Sequence, residues 1–353
     1  IPFAEPPLGD LRLQPPVLKL TPTDNISRFD ATNFGPGCLQ PVSLTLSSLK
    51  RPFEGLAHQP EGGIALSEDC LTINIFRPSG TKPNAKLPVV SFLFFSQECV
   101  LTPLKAVLDV TAFGESAGAI MTSILYFNSP LSNLVWGVIL ESGSPASPLV
   151  LNAEAREIDW QNFVGGVPSC ADLATSGNTF DCIKAANTSE IFQGLLTSLS
   201  LSQEQFAFDP TIDGPDGLYP DIPSRLFAKG QFARVPFITG TNLDEGTLFT
   251  PFTINSEQQV HDSIIANFSP PIVTAQQLEA TAEKLIELYP DIPALGSPFN
   301  TGNETFGLSS VFKQAAAIDS KFSFSQLHYG NFSQSQQHHD GLLDLVRNES
   351  RSE

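Results

Sequence analysis

Ser116 lies between two glycines in Gly114-Glu115-Ser116-Ala117-Gly118, a G-x-S-x-G pentapeptide. A serine hydroxyl is a weak nucleophile until its geometry and a neighbouring base activate it. This spacing supplies the geometry. Val110 to Phe113 reads as a strand, and the small-residue run after Ser116 (AGAIMTSIL) reads as a helix. A strand that turns sharply into a helix lifts the serine hydroxyl above the sheet edge. The residues two before and two after approach each other closely, so Gly114 and Gly118 give the turn room. The helix start then aims free N–H groups at the reacting centre, with Ala117 N–H as a candidate oxyanion donor. The pentapeptide alone is a weak signal, and its strand-turn-helix setting carries the argument.

Other elements must hold that turn. Residues 71–76 (LTINIF) alternate and predict a strand, whereas 87–95 (LPVVSFLFF) is a continuous apolar run expected of a strand covered on both faces. Residues 135–140 and 235–239 predict further core strands. Thr274-Ala275-Gln276-Gln277 fits a capping box, after which Leu278, Ala282, Leu285 and Tyr289 fall on one helix face. Strands interleaved with helices predict an α/β layered sheet. Residues 1–69 read as extended segments and loops, and 321–353 as a polar, poorly ordered tail.

Composition narrows the function classes. The 353 residues include 19 Lys+Arg against 37 Asp+Glu, a formal net charge of −18, which excludes the basic stripe of a nucleic-acid binder. It also disfavours docking on anionic lipid. No apolar run reaches the roughly 20 residues of a membrane span. Six Asn-x-Ser/Thr sites, at Asn25, Asn187, Asn267, Asn303, Asn331 and Asn348, predict a secreted, extracellular glycoprotein. The chain opens on Ile1, so its N-terminus is expected to be processed or missing. Five cysteines (Cys38, Cys70, Cys99, Cys170, Cys182) show no metal-ligand spacing; two pairs closing short loops plus one thiol is the simplest arrangement. No metal or cofactor is expected.

Several separated motifs together resemble the carboxylesterase type B family, which includes cholinesterases and fungal secreted lipases. They are IPFAEPPLG with Leu11-Arg12 near the start, Ser67-Glu68-Asp69-Cys70-Leu71, FGESAGA at 113–119, ILESGS at 139–144 and the stretch 236–249 with Asp244-Glu245-Gly246-Thr247. The resemblance implies an α/β-hydrolase fold, with a mostly parallel central sheet and helices on both faces, over residues 1–320. It implies Ser116 as nucleophile, Ala117 as one oxyanion donor and Glu245 as the acid that orients a histidine, with Ser142 behind that acid. It also implies the disulfides Cys38–Cys70 and Cys170–Cys182. Within the first of these loops, residues 42–56 read equally as a lid helix or as a packed surface loop.

Two departures from the family pattern stand out. The run 87–95 passes into Ser96-Gln97-Glu98-Cys99-Val100 with no glycine before Gly114, where the family has a Gly-rich turn of oxyanion donors. An internal deletion around 96–109 and a truncated C-terminus are expected, with a gap or an unpaired edge in the sheet. Nor does any of His261, His328, His338 or His339 stand in the family's histidine context. The expected function is therefore a secreted serine carboxylic ester hydrolase acting on a small-molecule ester, with reduced or absent turnover. The alternative is a non-catalytic binding or adhesion module, or an inactive fragment, of the same fold.

Overall fold

The computed structural model describes residues 1–19, 30, 32–40, 65–82, 85–93, 110–128, 130–147, 150–202, 207–267 and 274–322. The strands are β1 (Val89–Leu93), β2 (Val110–Glu115), β3 (Gly137–Glu141) and β4 (Phe237–Gly240). The helices are α1 (Ala117–Ile124), α2 (Leu131–Leu134), α3 (Glu157–Gly165), α4 (Phe180–Ala185), α5 (Thr188–Leu201), α6 (Pro223–Ala228), α7 (Gly246–Phe249), α8 (Glu257–Asn267), α9 (Ala275–Leu288) and α10 (Ser310–Phe322). The chain forms two compact units, residues 1–85 with 156–202 and residues 86–155 with 203–353.

The second unit holds the sheet. Its four strands are all parallel, in the order β1-β2-β3-β4. Of the expected gap or unpaired edge, no gap lies between β1 and β2 among the described residues: they pair from Val89↔Val110 through Leu93↔Gly114. The remaining edges among the described strands are β1 and β4. Alternation along β2 and β3 puts Val110, Ala112, Val138 and Leu140 on one face, where they cluster with Ala119 of α1. On the opposite face Val90 is 64% and Ile238 63% exposed. Within the run 87–95, Val90 therefore lacks the cover expected on both faces: among the described residues no element lies over it.

A second core joins α8, α9 and α10 through Val260, Ile264, Ala282, Leu285, Phe312 and Ala316. The capping box forms as the sequence predicts. Thr274 Oγ1 accepts from Gln277 N at 3.2 Å, and Gln277 Oε1 accepts from Thr274 N at 3.0 Å. Leu278, Ala282 and Leu285 are then buried on one stripe of α9.

In the first unit Arg12, 7% exposed, forks onto Glu68 at 2.6 and 2.8 Å. Its remaining nitrogen donates to the carbonyls of Ile183, Lys184 and Ala186 at the end of α4. A cation there satisfies carbonyls that the helix leaves unpaired. Cys38–Cys70 and Cys170–Cys182 are both bonded, the two pairs that the resemblance implied. The predicted strand at 71–76 is reduced to one bridge, Thr72 with Pro2. Backbone pairing with the first residues stops at Ile73, and Ile75 and Phe76 stand exposed. Alternation makes a strand only where a partner runs alongside.

Candidate active site

The last residue of β2, Glu115, is followed by a backbone reversal. Ser116 has φ 53° and ψ −121°, outside the regions open to ordinary L-residues, and α1 begins at Ala117. Ser116 N donates to Glu141 O (2.9 Å) and so extends the ladder to β3; Ser116 O accepts from Ile120 N (3.0 Å) inside the helix. The turn is as tight as the motif requires. A Cβ on Gly114 would lie 2.3 Å from Gly118 O, and one on Gly143 would lie 2.5 Å from Ser116 O. Both are backbone atoms with nowhere to retreat. Ala117 N–H heads α1, among the first-turn donors that have no partner inside a helix.

Glu245 arrives from the opposite end of the unit's sequence. It follows β4 and precedes α7, with 8% of its surface exposed. Its Oε1 accepts from Asn242 N (2.8 Å), Asn242 Nδ2 (3.2 Å) and Ser142 Oγ. Ser142 follows β3 at φ 52°, anchored by its own N–H to Gly240 O (2.8 Å). All three bonds fall on Oε1, so Oε2 makes no hydrogen bond among the described residues. A carboxylate fixed on one oxygen and open on the other can orient a donor such as an imidazole N–H.

The acid's turn is clamped from behind by α10. Gly246 N donates to Ser320 Oγ (2.8 Å), and a Cβ on Gly246 would meet Ala316 O at 2.2 Å. Asp244 Oδ1 accepts from Ser297 Oγ (2.7 Å) and Phe299 N (2.8 Å). Acidic groups crowd this end of the sheet. Burial raises the pKa of Glu115, and the charges of Glu245 and Glu141 raise it further. Asp319 on α10 is pushed up to about 6 by burial, against a hydrogen bond from Thr250 Oγ1 (2.5 Å) that holds it down.

The structure thus brings Ser142 and Glu245 together and sets Ser116 and Ala117 at the adjoining strand end. Sequence reasoning missed Asn242, whose place three residues before the acid was the available local signal, and Ser320, for which none existed. His261 lies on α8, with Nε2 2.9 Å from Glu279 Oε2. His328, His338, His339, Cys99, the 42–56 segment, the residues 96–109 of the expected deletion and most of the 321–353 tail lie outside the described residues. No group of three or more His, Cys, Asp or Glu suited to a metal occurs among the described residues. None of their helices is long and apolar enough to cross a membrane.

The sequence pattern of the carboxylesterase family matches residues 1–98 and 108–298, and breaks within the segment where a deletion is expected. Lipase 2 of Geotrichum candidum is 28% identical over 413 aligned positions, covering 92% of this chain and 71% of the relative. That alignment is longer than the 353-residue chain, so the relative carries internal residues with no counterpart here. A secreted triacylglycerol lipase of Gibberella zeae is 27% identical over 398 positions, covering 90% of this chain and 65% of the relative. Among solved structures, Aspergillus niger EstA superposes with a TM-score of 0.69 at 21% identity, over 96% of this chain and 70% of that one. The last likeness concerns the fold, which is that of an α/β-hydrolase. With most of its residues matched by the family pattern, the chain belongs to the carboxylesterase family.

Proposed function

We propose that the chain is a secreted carboxylic ester hydrolase that works through an acyl-enzyme on Ser116. The observation that carries this reading is the bend at Ser116, bonded to the end of β3 through Glu141 O, with the Glu245 carboxylate tied by Ser142 to that same strand end. Ser116 Oγ attacks the ester carbonyl carbon, and Ala117 N–H donates to the oxyanion that forms. The alcohol departs with a proton, and water then attacks the acyl-serine to release the acid. Glu245, whose Oε2 makes no hydrogen bond among the described residues, is the group to orient a base that carries the proton from Ser116 Oγ to the departing alcohol; the one described histidine, His261, does not take that place. The substrate is a neutral, fairly apolar ester. Lipases among the relatives support that class, and a net charge of −18 repels anionic substrates. Two disulfides, six glycosylation sequences and a secreted relative support an extracellular location.

Turnover is expected to be slow. The sequence after β1 has no Gly-rich turn, and a missing oxyanion donor costs about 10²- to 10³-fold in rate. A second reading, a non-catalytic member of the fold, is favoured by the histidines. His261, the one described histidine, is committed to Glu279. Hydrolysis of a short p-nitrophenyl ester by the full chain and by Ser116→Ala separates the two. Slow hydrolysis abolished by the substitution supports the esterase. A folded wild type with no hydrolysis supports the non-catalytic reading, and a rate unchanged in Ser116→Ala refutes the Ser116 mechanism.

A further inference from the structure

The sequence offers six Asn-x-Ser/Thr acceptors, and the structure treats two of them in opposite ways. Asn303 lies at the tip of a turn over residues 301–304, closed by Glu304 N donating to Thr301 O (3.2 Å). Gly302 enters that turn at φ +56°, and a Cβ built on it would meet nothing within 4 Å, so the tip faces open space. The turn is pinned from beneath. Lys313 of α10, 1% exposed, donates from Nζ to Thr301 Oγ1 (2.7 Å), Gly302 O (2.9 Å) and Glu304 O (3.1 Å). Those three bonds hold Thr301 Oγ1 and the carbonyls of Gly302 and Glu304, and none of them uses the Asn303 side chain. Neither the Asn303 amide nor the Thr305 hydroxyl makes a hydrogen bond among the described residues, and Asn303 is exposed.

Asn187 is the contrast. It is the N-cap of α5, with Oδ1 accepting from Glu190 N (3.0 Å) and from Ser189 Oγ (2.6 Å), the hydroxyl of its own acceptor sequence. Its Nδ2 donates to Glu190 Oε2 (3.0 Å). Asn187 is exposed as well, but a substituent on that nitrogen takes up one of its two N–H groups and crowds the bond to Glu190 Oε2.

We propose that Asn303 is a site of N-linked glycosylation and that Asn187 is left unmodified. The co-reactant is an oligosaccharide carried on a lipid pyrophosphate. Asn303 Nδ2 forms a bond to C1 of the innermost sugar, the C1–O bond to pyrophosphate breaks, the lipid pyrophosphate leaves with the electron pair, and the amide loses one proton. The fold retains the product because the Lys313 cage fixes the turn without using either group of the acceptor. This inference rests on the secretory route proposed above, and its test is made independent of that route by a vector-encoded signal sequence.

The full chain is expressed in yeast behind that signal, and both secreted and cell-retained protein are treated with a glycosidase that converts glycosylated Asn to Asp in heavy-oxygen water. Peptide mass spectrometry is expected to find the label at position 303 and none at 187. Asn303→Gln and Thr305→Ala each lose one glycan's step in gel mobility. An unlabelled Asn303 peptide overturns the proposal, whether or not the protein hydrolyses esters. Label at both positions upholds Asn303 and overturns the exclusion of Asn187.

Discussion

At neutral pH the carboxylate of Asp319 is a charge held where water solvates it poorly. Burial lifts its pKa from 3.8 to about 6. A carboxyl whose pKa is higher folded than unfolded binds its proton more tightly in the native state. Its stabilising contribution is complete below about pH 4 and is lost as pH rises through about 6. Two units at about 1.4 kcal/mol each give an upper bound of about 3 kcal/mol. Asp319→Asn removes the titration and keeps an oxygen to accept from Thr250 Oγ1. Denaturant unfolding of both proteins at half-unit steps from pH 4 to 8 isolates the difference, since every other group titrates in both. Wild type is expected to lose up to about 3 kcal/mol relative to the variant across that range, levelling above pH 7. Thr250→Val, which removes the bond holding the pKa down, moves the transition to higher pH. Parallel wild-type and Asp319→Asn profiles would refute the reasoning.

Gly114→Ala places a methyl 2.3 Å from Gly118 O, so the turn at Ser116 must open. Overpacking against backbone costs about 1–3 kcal/mol, measured by urea unfolding, with Ser116 reactivity lost in the protein that still folds. Ser142→Ala removes one of the three donors to Glu245 Oε1 and is expected to cost about 1.5–3 kcal/mol of stability, the range for a hydrogen bond to a charged group. Replacing Cys170 and Cys182 by serine opens a loop with a sequence separation of 12; thermal and urea unfolding are expected to show a loss of about 3 kcal/mol.

What the sequence disclosed follows the range of the interactions. The bend at Ser116 was legible because its requirements lie within five residues, two of them glycine for steric reasons. The Thr274 capping box was legible for the same reason. The pairing of Ser142 with Glu245 joins residues 103 apart, and only resemblance to a family pointed to it. Ser320, behind Gly246, had no signal of any kind, because helix spacing on α10 does not reveal which turn its hydroxyl meets. The strand at 71–76 was misread because alternation describes a chain's faces and not its neighbours. Of the expected gap or unpaired edge, no gap separates β1 from β2, which are direct neighbours in space, and β1 is an edge among the described strands.

The most direct measurement is covalent labelling by a fluorophosphonate, read by intact mass on folded protein. Phosphonylation needs an activated serine hydroxyl and an oxyanion donor but no release of product, so slow turnover does not mask it. The account predicts one adduct per chain, mapped to the peptide containing Ser116 and absent from Ser116→Ala. A folded wild type that takes up no probe, or an adduct that persists in Ser116→Ala, would contradict it.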